Sequence, residues 1–215
     1  MIVAIDGPAG AGKSTVAKAL AQRLGFTYIN TGAMYRAIAW KVLQQNLDLA
    51  DAETIARIAN DSLIELIGDT VWLDGQEVTR LIRSEEVSSA ASVVSAIPAV
   101  RRALVAQQQR LGRATDVVME GRDIGTKVFP DAEVKIYLDA SPETRAERRH
   151  REEIEKGIEA SYQKILMDII ERDTRDSSRL DSPLTQAAGS IYFDSSTLSP
   201  QEVIEQLTIL VTKRQ

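Results

Sequence analysis

The stretch Gly7-Pro8-Ala9-Gly10-Ala11-Gly12-Lys13-Ser14 matches the phosphate-binding loop pattern G-x-x-x-x-G-K-[ST] at every fixed position. The apolar run Ile2–Ile5 precedes it, and a helical pattern over Lys13–Leu24 follows. In that setting main-chain N–H groups and the positive end of a helix converge on phosphate oxygens. The sequence therefore predicts a phosphate site, with Lys13 at the β and γ phosphates and Ser14 at magnesium.

The alternative is a glycine-rich turn that only connects a strand to a helix. At ordinary residue frequencies the four fixed positions occur by chance in well under about one in a hundred chains of this length. We therefore expect the loop and the residue after it to bind ATP. The residues concerned are Gly7, Pro8, Ala9, Gly10, Ala11, Gly12, Lys13, Ser14 and Thr15.

Short apolar runs alternate along the chain with longer helical patterns, which is typical of a parallel sheet with helices on both faces. Each run leads into a loop rich in Gly, Asp, Ser or Thr, and in an open parallel sheet such loops form the ligand crevice. The five predicted strands are Ile2–Ile5, Phe26–Ile29, Val117–Met119, Val134–Leu138 and Ile191–Phe193.

Local signals fix several boundaries. Gly25 is placed to end the first helix, while Ser141 and Ser199, each followed by proline, are typical helix N-caps. Between residues 63 and 78 the pattern changes to two short apolar strands around Asp74-Gly75, a dipeptide favoured in tight hairpins. We interpret 1–215 as a single α/β domain with a small β-rich insert.

The composition narrows the classes of function. The apolar share of 44% and the charged share of 27% are ordinary for a globular protein, and a formal charge of −5 disfavours a nucleic-acid-binding surface. There is no cysteine, which excludes disulfides and thiol catalysis, and the single histidine, His150, disfavours a catalytic triad. We expect a cytoplasmic chain, neither secreted nor membrane-anchored, acting on small phosphorylated ligands.

Two further segments place acceptor-type side chains beside the phosphate loop. One strand leads into Asn30-Thr31-Gly32-Ala33-Met34-Tyr35-Arg36, which supplies a hydroxyl, an aromatic ring and a guanidinium. Another leads into Glu120-Gly121-Arg122-Asp123-Ile124-Gly125-Thr126, which supplies a carboxylate for Mg²⁺ and a second arginine. Two such arginines indicate a phosphorylated acceptor, although switch GTPases and motor ATPases share the phosphate loop.

The motifs TGAMYR, EGRDIGT, VFPDAEVKIYLDAS and RDTRDSSR follow GPAGAGKS in an order that resembles the bacterial cytidylate kinases. VWLDGQEVT, IRSEEVSSAAS and the following Val100-Arg101 are similar to the CMP-binding extension of that family. The resemblance covers nearly the whole chain. It implies a P-loop NTPase-type fold with a parallel five-stranded sheet, a β-rich NMP-binding insert at 63–102 and a helical lid at 145–180.

The resemblance also implies an activity, the transfer of the ATP γ-phosphate to CMP or dCMP with Mg²⁺, and no partner beyond these substrates. It places Arg36 and Arg122 on the acceptor phosphate and Glu120 near the metal's water shell. It implies that Lys13, Arg122, Arg149 and Arg179 act on the transferring phosphoryl group. The substrate-binding residues that it implies are Thr31, Tyr35, Arg36, Ser92, Arg101, Gly121, Arg122, Asp123, Arg172 and Asp176.

Within this set, the resemblance assigns Ser92, Arg101 and Asp123 to the cytosine, and Arg172 and Asp176 to the sugar. Arg145, Arg148 and Arg149 would begin the lid and approach phosphate. Their alternation with glutamates fits a solvated, salt-bridged helix equally well, and only the resemblance favours phosphate contact.

Two of these residues also fit purely structural roles. Tyr35 could be an aromatic residue of the core, and Ser92 a small residue that allows close helix packing. The rival functions are a kinase for UMP, AMP or shikimate, and a nucleotide-dependent switch. The switch requires a guanine-reading Asn-Lys-x-Asp segment, which the sequence lacks.

Overall fold

Five parallel strands form the main sheet in the computed structural model, which describes residues 1–214. The strand order is β2-β6-β1-β7-β8, so the strand that leads into the phosphate loop lies at the centre. The strands are β1 Ile2–Asp6, β2 Thr27–Asn30, β6 Val117–Gly121, β7 Val134–Asp139 and β8 Ile191–Asp194. All five predicted strands are present.

Each strand runs one or two residues further toward its carboxyl end than the apolar pattern indicates. The ladder continues through polar residues, as where Asp6 pairs with Gly121 and Asn30 with Glu120. Hydrophobicity marks only the buried centre of a strand, whereas main-chain pairing extends into the site. The polar side chains at the carboxyl edge therefore stand on strands rather than on loops.

Eight α-helices complete the fold of residues 1–214. The predicted bounds of α1 match the structure, and Gly25 caps it in the left-handed conformation at φ 70°. Ser141 and Ser199 cap α6 and α8 as expected, the latter with Glu202 in a reciprocal capping box. The helices are α1 Lys13–Leu24, α2 Thr31–Gln44, α3 Ala52–Asp61, α4 Glu85–Val94, α5 Pro98–Gly112, α6 Pro142–Glu155, α7 Tyr162–Ser177 and α8 Pro200–Thr212.

The insert contains three antiparallel strands rather than the two expected from the sequence. They are β3 Ile64–Ile67, β4 Thr70–Leu73 and β5 Gln76–Glu77. Asp74 and Gly75 do form a tight turn, both at positive φ (52° and 79°), but it joins β4 to β5. The expectation was wrong because β5 is two exposed polar residues long and has no apolar alternation to mark it.

Two of the four apolar clusters within residues 1–214 contain most of the clustered buried residues. One lies between the sheet, α1 and α8. The other is built from buried residues between Ala33 and Leu104, contributed by α2 to α5 and the small sheet. Within residues 1–214 no single helix is long and apolar enough to cross a membrane, although α4 and α5, bent by 102° to each other, reach that length and apolarity together.

Candidate active site

The phosphate loop is shaped by close contact with the neighbouring strand. Gly7 has φ 151°, and a Cβ atom there would lie 1.9 Å from the main-chain oxygen of Leu138, so only glycine fits. The loop ends at Lys13, whose side chain is 6% exposed and whose Nζ donates to the Pro8 carbonyl at 2.6 Å. Ser14 and Thr15 are exposed at the start of α1. The loop therefore presents an amine and a hydroxyl on one side.

The surroundings of Lys13 disfavour its protonated, positively charged form. Burial lowers its pKa well below the ordinary value, the positive charge of Arg122 lowers it further, and the carboxylates of Glu120 and Asp6 oppose both effects. An anion placed beside Lys13 would reverse that shift. The site is thus prepared electrostatically for phosphate.

Glu120 stands on β6 and accepts hydrogen bonds from two neighbours. Its Oε1 accepts from the Tyr28 hydroxyl at 2.5 Å, and its main-chain oxygen accepts from the Thr31 hydroxyl at 2.7 Å. Asn30 in turn donates to the Tyr28 oxygen at 3.1 Å. The sequence predicted no role for Tyr28 and named Asn30 only as the first residue of the acceptor segment. The two side chains share one face of β2, so strand alternation was the available signal.

The donor set at this end of the cavity suits Mg²⁺. Ser14 and Glu120 both line the cavity, supplying one hydroxyl and one carboxylate. No cluster of three or more His, Cys, Asp or Glu residues exists between residues 1 and 214, so a cage made of protein ligands alone is not formed there. Mg²⁺ in phosphoryl-transfer sites takes one or two protein groups and completes its shell with phosphate and water.

Arginines surround the centre of the cavity. Asp176, 3% exposed, accepts from Arg122 Nε at 2.9 Å and from Arg179. Burial opposes ionisation of Asp176, but the charges of Arg122 and Arg179 outweigh it and lower its pKa. Arg36 also lines this part of the cavity.

Arg172 lies among these arginines and has one hydrogen-bond donor that is not used within residues 1–214. Its Nε is buried and has no hydrogen-bond partner among the residues described. Burial and the adjacent charge of Arg122 lower its pKa to about 10, with smaller contributions from Arg36 and Arg149. Positive charge exceeds negative charge here, which favours a multiply charged anion.

The far end of the cavity is a polar pocket. Arg101, 2% exposed, forms an ion pair with Asp123 and donates to the Ser95 carbonyl at 3.0 Å. Its guanidinium carbon lies 5.4 Å from the centre of the Tyr35 ring. Arg101 Nε and the Tyr35 hydroxyl are buried without partners in the described part of the chain. Ser92 lies at the same pocket.

Burial raises the pKa of the Tyr35 hydroxyl to about 12, although the charge of Arg101 opposes that shift. The hydroxyl is therefore protonated at neutral pH and can act as a donor. Gly121 leaves no room for a larger residue, since a Cβ there would come within 2.7 Å of Thr31 and Ile124. Tyr35 and Gly121, both predicted from the sequence as substrate-binding residues, thus form part of the pocket wall.

Not every predicted lid arginine faces the cavity. Arg145, 2% exposed, donates to the carbonyls of Ala140 and Ala9 at 2.8 and 2.9 Å and forms a two-point ion pair with Asp173. Arg148 donates to the Ser195 carbonyl at 2.6 Å. Protein acceptors hold both guanidinium groups here, and Arg145 connects the phosphate loop to α7. Contact of either arginine with phosphate stays a prediction.

Arg149 is exposed to a larger extent and pairs with Glu153 at 3.1 Å. It lies outside the lining of the cavity, and its action on the phosphoryl group stays a prediction. The predicted site residues that do line the cavity of about 420 Å³ are Ala9, Gly10, Gly12, Lys13, Ser14, Thr15, Thr31, Tyr35, Arg36, Ser92, Arg101, Glu120, Gly121, Arg122, Asp123, Arg172, Asp176 and Arg179.

A phosphate loop that opens onto an arginine-rich cavity, at the carboxyl edge of a five-stranded parallel sheet, defines a small-molecule kinase of the P-loop class. The fold agrees with solved kinases. Shikimate kinase from Bacteroides thetaiotaomicron superimposes with a TM-score of 0.53 at 14% identity, covering 99% of this chain and 98% of that one. A gluconokinase from Sinorhizobium meliloti gives 0.50 at 16% identity, covering 98% and 91%.

Sequence comparison identifies the family. The model for cytidylate kinase matches residues 3–213. Cytidylate kinases from Solibacter usitatus, Caldanaerobacter subterraneus and Bacillus subtilis are 51%, 52% and 46% identical. Their alignments cover 100%, 98% and 99% of this chain and 93%, 94% and 96% of theirs. The chain belongs to the cytidylate kinase family and is a phosphotransferase.

Proposed function

We propose that this enzyme transfers the γ-phosphate of ATP to CMP or dCMP in a Mg²⁺-dependent reaction, giving CDP or dCDP plus ADP. One observation carries the proposal: a single cavity joins the phosphate loop to the buried polar pocket around Arg101 and Asp123. The arginine-rich centre lies between the two ends. ATP and the acceptor nucleotide would therefore meet with the phosphates of both molecules among these arginines.

The transfer itself asks little covalent chemistry of the protein. An oxygen of the acceptor phosphate forms a bond to the γ-phosphorus while the bond from that phosphorus to the β–γ bridging oxygen breaks, and ADP leaves with the electron pair. No general base is required, because the acceptor oxygen is already anionic. The rate comes from alignment and from stabilising charge on the equatorial oxygens.

Charge stabilisation falls to residues around the centre of the cavity. Lys13 would act on the β and γ phosphates of ATP, and Arg36 and Arg122 on the acceptor phosphate. Arg172 has a free buried donor and Arg179 lies beside Asp176, so both are placed to meet the transferring group. Mg²⁺, when bound, supplies positive charge between the phosphates; Ser14 would hold it, and Glu120 its water shell.

The proposed acceptor base is read by hydrogen-bonding pattern. Cytosine presents an N4 donor beside the N3 and O2 acceptors. Asp123 uses one carboxylate oxygen for Arg101, which leaves the other for N4–H. Arg101 Nε, which has no partner among the described residues, and the Ser92 hydroxyl would donate to N3 and O2. Uracil reverses half of this pattern and would leave buried polar groups unpaired.

The test is an acceptor panel with CMP, dCMP, UMP, AMP and shikimate, in which ADP release is measured with Mg²⁺ and ATP. We expect kcat/KM for CMP to exceed that for UMP by roughly two to three orders of magnitude. Equal values for UMP and CMP would contradict the base assignment. Asp123→Asn is a better probe than Asp123→Ala, because the asparagine amide oxygen can still accept from Arg101, whereas alanine leaves that buried cation without its side-chain acceptor, at a cost of about 3–5 kcal/mol.

We also propose that the enzyme works in the cytoplasm on its nucleotide substrates alone. The absence of cysteine from the sequence supports a reducing compartment, and the negative formal charge disfavours nucleic acid as a ligand.

A further inference from the structure

One hydrogen bond joins the lid to the insert beside the base pocket. Arg175 stands on α7, and its Nη1 donates to the Ser92 hydroxyl on α4 at 2.9 Å. Ser92 is 5% exposed and lines the cavity, whereas Arg175 does not. The two residues belong to elements that form no extended contact with each other. This bond therefore stands out as a specific link between them.

The donor and acceptor roles in this bond follow from the chemistry of the two groups. A guanidinium can only donate, so the Ser92 oxygen must accept from Arg175. A serine hydroxyl carries one proton, and within residues 1–214 no carbonyl or carboxylate accepts it. The Ser92 hydroxyl is thus held with its own proton free for a further partner. Cytosine N3 and O2 are acceptors of that kind.

Arg175 is also adjacent in sequence to the phosphate-binding part of α7. Asp176, the next residue, pairs with Arg122 and Arg179 at the centre of the cavity. A change at Ser92 is thereby connected through one residue to the arginines that face phosphate. The other contact of Arg175 is an exposed pair with Glu171 at 2.6 Å.

We propose that Arg175 is a positioning residue for acceptor recognition, which fixes the Ser92 hydroxyl as a donor to the acceptor base and holds α7 against the insert. The proposal rests on the proposed function, since it takes Ser92 as a contact of the base. Arg175 itself touches no substrate. It acts through Ser92.

The variants separate this role from a general one. Arg175→Met removes the donor and keeps most of the side-chain volume, and Arg175→Lys restores a donor. Glu171→Gln is the matched control, because it removes the exposed ion pair and leaves the bond to Ser92. Ser92→Ala alone and together with Arg175→Met completes a double-mutant cycle. Circular dichroism verifies that each variant is folded.

We expect Arg175→Met to raise KM for CMP about tenfold, the loss of one hydrogen bond to a charged group, and to change kcat and KM for ATP by less than about threefold. Arg175→Lys should recover most of the loss, and Glu171→Gln should behave as wild type. In the Ser92→Ala background Arg175→Met should have no further effect on KM for CMP.

Three results would overturn the inference. If Ser92→Ala raises KM for CMP while Arg175→Met does not, Arg175 has no positioning role and the proposed function stands. If the two effects add fully in the double variant, Arg175 does not act through Ser92. If Ser92→Ala leaves KM for CMP unchanged, Ser92 is not a base contact, and the base assignment fails together with this inference.

Discussion

In this structure the Lys13 amine donates its hydrogen bond to the main-chain carbonyl of Pro8, and the Lys13 side chain is almost fully buried. A neutral acceptor only partly compensates a desolvated cation. Because Arg122 adds further positive charge nearby, phosphate is the partner that would restore balance. If phosphate binds there, its binding and the stabilisation of the transition state depend on the same amine.

At the residue scale we predict that Lys13→Met lowers kcat by about two to three orders of magnitude, the usual loss for one preorganised charged donor. Methionine keeps the buried chain length, so the thermal midpoint should change little. Steady-state kinetics with ATP and CMP, combined with thermal denaturation, tests this. Near wild-type kcat in a folded variant would refute the role given to the phosphate loop.

The acceptor pocket shows what residue-level reasoning could and could not find. The resemblance assigned Arg101 and Asp123 to the base as two separate contacts. The structure pairs them with each other, across helix α5 and the loop after β6. Spacing along the sequence cannot reveal such a pair, because it depends on how α5 packs over β6. Ser92 and Arg175 are a further example, being 83 residues apart.

At the scale of elements, Asp6 connects the two loops of the site. It ends β1, directly before the phosphate loop, and is 3% exposed. Its two oxygens accept from the main-chain N–H groups of Ile124 and Gly125 at 2.8 and 2.7 Å, at the start of a π-helical turn over Ile124–Val128. Asp6 thereby fixes the loop that carries Asp123 relative to Lys13.

This geometry predicts a pH dependence of stability. Burial raises the pKa of Asp6 to about 6 from 3.8; the bonds from Gly125 and Ile124 oppose the shift, Asp123 adds to it and Lys13 opposes it. The folded state then binds more protons than the unfolded state between about pH 4 and 6, so this group's contribution falls as the pH rises through that window. At about 1.36 kcal/mol for each unit of pKa shift, the decrease is about 3 kcal/mol.

The measurement is urea unfolding of wild type and Asp6→Asn from pH 4 to pH 7.5. The free energy of unfolding of wild type minus that of the variant should fall as the pH rises, since asparagine does not titrate. Asp131→Asn, at an exposed turn, provides the baseline. A difference that stays constant or rises with pH would contradict the assignment.

Elements were predicted from sequence as far as local signals reached. The bounds of α1 and the caps of α6 and α8 depend on residues within one turn, and the sequence located them. The strand order depends on tertiary pairing, which has no local signal, and β5 is only two exposed polar residues long, too short to show an apolar alternation. The acceptors that Arg145 and Arg148 contact in this structure had no local signal either, because they lie on other elements.

At the scale of the whole molecule, the insert forms a small sheet of its own that is separate from the five-stranded sheet. The turn of the insert at Asp69 contacts α1 through an exposed ion pair with Lys18. The segment between α6 and α7 is exposed around Gly157, which has φ 74°. A kinase that left its site open would transfer phosphate to water, so we expect both parts to close on ligands.

Hydrogen exchange measures this closure directly. With CMP, exchange should slow in residues 63–92, and with a non-hydrolysable ATP analogue it should slow in residues 145–179. Helix α8, which packs against α1 on the other side of the sheet, serves as the internal control and should not change. Unchanged exchange in both ligand-facing regions would show that the site does not close.

The strand order has a consequence for how the chain folds as it leaves the ribosome. β1 pairs only with β6 and β7, and β2 only with β6, so neither early strand has a neighbour until residue 121 has been made. The acceptor-side core, in contrast, draws its buried residues from Ala33 to Leu104 and is complete before that point. At roughly 5–20 residues per second, the interval between the synthesis of β1 and that of β6 lasts several seconds or more. During that interval, the nascent chain contains every residue of the Ala33–Leu104 cluster, while the strand before the phosphate loop has no neighbouring strand.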